Sequence, residues 1–133
     1  GGTAVYHLII SKEEIFSPLI EEADTLVVMN QPSYQQYKGM LKHQGLLLLN
    51  SSMTKLNDLP EATIHKIPAT EIASKLGNVL VSNIVMLGAY LEIKKLFSVN
   101  LILDQLQEML KGKKTNLFAI NKQALESGMQ VVK

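Results

Sequence analysis

Apolar residues fall in short unbroken runs in the first half of the chain and in longer, helix-spaced stretches in the second. Ala4 to Ile10 (AVYHLII) is aliphatic and rich in β-branched residues, which predicts a strand. Thr25 to Met29 is a continuous apolar run and reads as a fully buried strand. Leu46 to Leu49 is a third such run. Leucine also favours helix, but the short length and the bounding Gly45 and Asn50 favour strand. Thr63 to Ile67 (TIHKI) makes a fourth. Between these runs Ser11 to Glu14 predicts a polar turn, and Pro18 opens a short helical piece over Leu19 to Ala23. Asn30 to Ser33 forms a strand-to-helix loop, with Pro32 suited to a first helical turn. Tyr34 to Lys42 predicts a helix closed by Gly45, and Met53 to Pro60 a loop.

The second half reads as helical. Pro68 to Glu71 opens a helix with Thr70 at the N-cap, and Leu76-Gly77-Asn78 interrupts it. Val79 to Leu96 is apolar on nearly every side, as expected of a helix buried on two faces. One face fits the sheet. The other fits either the chain's own C-terminal helices or a partner, and Ile84, Leu87 and Tyr90 are the interface candidates. Val99 to Leu110 places Leu101, Leu103, Leu106, Met109 and Leu110 against Asp104, Gln105 and Glu108, and Gly112 stops it. Asn116 to Glu126 predicts a last helix, capped by Gly128. The order of elements implies one domain over residues 1–133. Its expected class is α/β, three layers α/β/α with a mainly parallel sheet and a helical C-terminal part.

Composition narrows the chemistry. All thirteen basic residues are Lys against twelve acidic ones, so the net charge is +1. Without Arg the chain lacks the planar fork that reads base edges and phosphates, and the Lys111, Lys113, Lys114 group is too small to track a nucleic-acid backbone. There is no Cys, which removes disulfides, thiolate nucleophiles and thiolate-held clusters. That fits a cytoplasmic protein. The most apolar stretch, Leu76 to Ile93, carries Asn78, Asn83 and Glu92, too polar for a membrane span. No phosphate-binding glycine loop or G-x-S-x-G elbow occurs, and His7, His43 and His65 are isolated. His7 and His65 fall mid-strand and His43 near a helix C-terminus. The pairs Glu13-Glu14 and Glu21-Glu22 read as solvated charges. No catalytic residue and no metal ligand is therefore assigned.

In a parallel sheet, ligands sit beyond the carboxyl ends of the strands. Asn30, Gln31, Ser33, Asn50, Ser51 and Ser52 would line one polar rim there if the second and third strands are neighbours. Ordinary loop capping is the plainer role for them, and contact with a ligand or partner subunit is the alternative. Hydrolysis through Ser51 or Ser52 would need a base, and none stands nearby in sequence.

Several blocks together resemble the gamma subunits of 2-oxoacid:ferredoxin oxidoreductases, closest to the 2-oxoglutarate branch. Gly1-Gly2-Thr3 is similar to the end of an RGGT motif. SKEEIFSPLIEEADTLVVMNQPSYQQY resembles a segment S-x-x-x-I-x-S-P-x-I-x-x-x-D followed by an MNQPS loop. LLLLNSSM, IPATEIASKLGNVLVSNIVMLGA and the closing GKKTNLFAINKQALESGMQ follow in the family's order. The family's Gly-rich G-x-G-G-Q-G opening is missing from the residues given. The resemblance implies a part in a complex that decarboxylates a 2-oxoacid, makes an acyl-CoA and reduces ferredoxin. Thiamine diphosphate, magnesium and iron–sulfur clusters would be held by other subunits, with coenzyme A as substrate. The partners implied are alpha and beta subunits and a ferredoxin-like delta subunit. The resemblance implies a structural chain, with a CoA-facing role open to it, that is not itself catalytic. From the residues alone, a stand-alone α/β module for a nucleotide or small ligand stays open.

Overall fold

The computed structural model describes residues 4–17, 19–58, 60–113 and 116–133, with Asn116 described by its backbone alone. The Gly1-Gly2-Thr3 motif, Pro18 and Lys114 lie outside the described residues. Three parallel strands form the sheet in the order β1 (Ala23–Val28), β2 (Leu41–Asn50) and β3 (Thr63–Ile67). Helix α1 (Gln31–Tyr37) and a 3-10 turn, Lys38–Met40, connect the first two strands. The stretch between β2 and β3 has no helix among its described residues. Then come α2 (Ala69–Lys75), a 3-10 turn at Val79–Val81, α3 (Ser82–Lys94), α4 (Val99–Met109) and α5 (Asn116–Val131). The α/β class with a parallel sheet and a helical C-terminal part is therefore what the chain adopts.

The leucine run of β2 is unbroken because both of its faces are covered. On one face Leu48 and Ile67 pack with Ala73 of α2, Val85, Met86 and Ala89 of α3, and Ala124 of α5. On the other, Val28, Leu47 and Leu49 pack around Tyr34 of α1, with Leu56 and Ile64 at the margin. The two layers are offset. The α2–α3–α5 layer lies over β2 and β3 and leaves Val27 of β1 44% exposed. The α1 layer lies over β1 and β2 and leaves Lys66 of β3 exposed.

Helices α3 and α5 touch backbone to backbone. A Cβ on Gly88 would collide with the Leu125 carbonyl, and one on Gly128 with the Val85 carbonyl. Each glycine thus provides the gap that the other helix fills. This corrects the expectation that Gly128 caps the last helix, because α5 runs on to Val131. A glycine after an apolar helical run looks the same in sequence whether it ends the helix or lets a second helix approach.

Other expectations are corrected as well. Residues 4–10 form no strand: they pair with nothing among the described residues, and Tyr6 and Leu8 are exposed. Strand propensity is realised only against a partner strand. Residues 19–22 are not helical, and Ala23 already belongs to β1. The first helix ends at Tyr37, and Leu41 to Gly45 belong to β2, paired with Ala23 through an irregularity in the register. Gly45 is therefore inside a strand, where a Cβ would come 2.8 Å from Leu41 Cδ1 and 2.9 Å from the Lys42 carbonyl. Thr70 stands in the first turn of α2, and Pro68 takes the N-cap position. In α4 Leu106 is buried, whereas Leu101 and Met109 face solvent, so part of that apolar stripe is uncovered. Gly77 and Gly112, both at positive φ, do end their helices as expected.

Candidate functional site

Asn50, the last residue of β2, is 1% exposed and sits where three chain segments meet. Its Nδ2 donates to the Met29 carbonyl at 3.1 Å and to Thr70 Oγ1 at 2.8 Å. Its Oδ1 accepts from the backbone N–H groups of Ser52 and Thr70, both at 3.3 Å. A buried amide needs such partners, and this one joins the end of β1, the turn after β2 and the start of α2. Ser52 adds a second link, its Oγ accepting from the Glu71 N–H at 3.1 Å. The Ser51 N–H is tied to the Ile67 carbonyl at 2.9 Å.

The other expected rim residues come to the same end of the sheet. Asn30 is the N-cap of α1, its Oδ1 accepting from the Ser33 N–H at 3.0 Å. Gln31 Oε1 accepts from the Lys55 N–H at 2.7 Å and holds residues 53–55 against the first turn of α1. Asn30 therefore caps its own helix, while Gln31, Asn50 and Ser52 bind backbone of neighbouring segments. Ser51 projects into solvent. The loop is held at a further point. The Tyr34 hydroxyl donates to Asp58 Oδ1 at 3.0 Å, and Lys38 Nζ to Asp58 Oδ2 at 3.2 Å. Burial, then the bond to Asp58, pushes the Tyr34 hydroxyl up to about 12. Lys38, then Tyr34, holds the Asp58 carboxyl below its usual range. Thr54, 5% exposed, has a buried hydroxyl with no partner among the described residues.

The opposite end of the sheet is built differently. Gln44 takes φ +60, within the irregular stretch of β2, and its N–H reaches the Glu61 carbonyl at 2.7 Å. Around it Lys42 pairs with Asp24 at 3.0 Å, and His43 Nδ1 lies 2.7 Å from Glu61 Oε2, all of them exposed. Two shallow concavities of about 450 and 430 Å³ open here, lined by His43, Gln44 and Thr63, the second also by His65, Ile93 and Lys94. His43 thus belongs to a strand, which corrects its placement at a helix end. His65 is half-buried in β3, and His7 lies in the exposed N-terminal stretch. No histidine joins Ser51 or Ser52 at the rim, so no nucleophile–base pair forms there among the described residues. No group of three His, Asp or Glu side chains fit to hold a metal occurs among them either. Ile84 and Tyr90 of α3 pack against the chain's own core, and Leu87 is half-buried. No helix of the described residues is long and apolar enough to cross a membrane.

A family model described as pyruvate ferredoxin/flavodoxin oxidoreductase matches residues 1–131. The chain belongs to this oxidoreductase family. It is 34% identical over 129 residues to the 2-oxoglutarate synthase subunit KorC of Methanocaldococcus jannaschii, a match covering 92% of this chain and 68% of that one. Its fold is similar to the keto/oxoacid ferredoxin oxidoreductase gamma subunit of Geobacter sulfurreducens, with TM-score 0.70, 21% identity and coverage of 82% of this chain and 63% of that one. It is also similar to the 2-oxoglutarate:ferredoxin oxidoreductase of Magnetococcus marinus, solved with 2-oxoglutarate, coenzyme A and succinyl-CoA bound. There the TM-score is 0.82 and the identity 22%, over 92% of this chain but only 22% of that one. The matching fold thus makes up a minor part of that longer polypeptide.

Within the family fold, sequence reasoning located the rim but missed Thr70, Tyr34 and Asp58, which fix it. Asp58 is 24 positions from Tyr34 and lies in a loop without periodicity, so no local pattern pairs them. For Thr70 a signal existed, since the IPAT segment follows β3 directly and so starts beside the end of β2.

Proposed function

We propose that the chain is the gamma subunit of a 2-oxoacid:ferredoxin oxidoreductase, a cytoplasmic complex that oxidatively decarboxylates a 2-oxoacid to an acyl-CoA and reduces ferredoxin. The observation that carries this reading is the family match over residues 1–131, together with 34% identity to a 2-oxoglutarate synthase subunit. The chain's chemistry supports a non-catalytic part. It contains no Cys, so it offers no thiolate to an iron–sulfur cluster, and its described carboxylates and histidines do not group as metal ligands. Thiamine diphosphate, magnesium and the clusters accordingly belong, in this reading, to the alpha, beta and ferredoxin-like delta subunits, and no chemical step is assigned to residues here. The rim residues Asn30, Gln31, Ser33, Asn50, Ser51 and Ser52 face a partner or the coenzyme A path. A stand-alone small-ligand module is the weaker reading, because the Asn30, Gln31, Asn50 and Ser52 side chains already accept from backbone N–H groups of this chain.

Co-expression of the full gene product with the other subunits tests the reading. The expected result is stable co-purification, 2-oxoacid-dependent ferredoxin reduction by the complex and none by the chain alone. Turnover by the isolated chain, or a fully active complex that lacks it, would overturn the reading.

A further inference from the structure

We draw no further inference here: the strongest candidate, the exposed apolar side chains of Val5, Tyr6, Leu8, Ile15, Phe16 and Leu19 in the stretch leading into β1, carries nothing, because nothing in the structure shows what covers them.

Discussion

At the carboxyl ends of the strands one buried amide, Asn50, makes four hydrogen bonds to three segments, and Ser52, Gln31 and Asn30 each accept from a further backbone N–H. At the amino ends the Lys42–Asp24 ion pair and the His43–Glu61 contact stand in solvent around an irregular stretch of β2. Both ends are polar, yet they hold their shape by different means. A buried neutral group must be satisfied, and removing one partner strands the others, so the network enforces a single geometry. Exposed ion pairs gain little over their hydration and are weakened by salt. What orders the amino end is backbone fit, with Gly45 accepting a close approach that no Cβ would allow. The carboxyl end is therefore suited to presenting a fixed surface, whereas at the amino end the exposed charged side chains tolerate change and the backbone around Gly45 does not.

Substitutions separate the two ends. The largest effect is expected for Asn50→Ala. Loss of the amide leaves the Thr70 and Ser52 N–H groups and the Met29 carbonyl short of partners, at a cost of about 2–3 kcal/mol in denaturant unfolding. Gly45→Ala comes next, at about 2 kcal/mol, because Leu41 and the Lys42 carbonyl must shift to admit the methyl group. A neutral result there would mean that the irregular stretch yields freely. Tyr34→Phe removes one hydrogen bond and is expected to cost about 1 kcal/mol at neutral pH.

Tyr34 also carries a pH signature. The folded protein holds this proton up to about 12, whereas the unfolded chain releases it near 10. The folded state therefore binds more protons in that interval, and stability falls as pH rises from about 10 to about 12. The Phe variant should lack that part of the decline in a pH series of unfolding curves. The smallest effect is expected for His43→Ala, about a few tenths of a kcal/mol, because the contact with Glu61 is exposed. A loss there as large as that of Asn50→Ala would erase the distinction between the ends.

Where one short window held both the pattern and its cause, the sequence was legible. Thr63 to Ile67 is β3 to the residue, and the leucine run of β2 reads as buried because it is covered on two faces. Where the cause lay far along the chain, it was not. The segment Leu41 to Gly45 looks polar and helical on its own and becomes strand only by pairing with Ala23 and its neighbours. The role of Gly128 depends on the Val85 carbonyl, far back along the chain on another helix. Asn50 and Ser52 could be placed at the rim from topology. That their side chains bind inward depended on Thr70 and Glu71. The interface candidates Ile84 and Tyr90 are half-buried by the chain's own core, and apolarity alone does not say which neighbour covers a residue.

Hydrogen–deuterium exchange on the full-length subunit, alone and within the complex, tests the central claim most directly. If the rim residues at the carboxyl end of the sheet face a partner or the coenzyme A path, residues 30–33 and 50–55 gain protection in the assembled complex with coenzyme A present, while residues 42–45 and 61–63 exchange as before. Protection confined to the amino end, or none at either end in an assembled complex, would contradict the account.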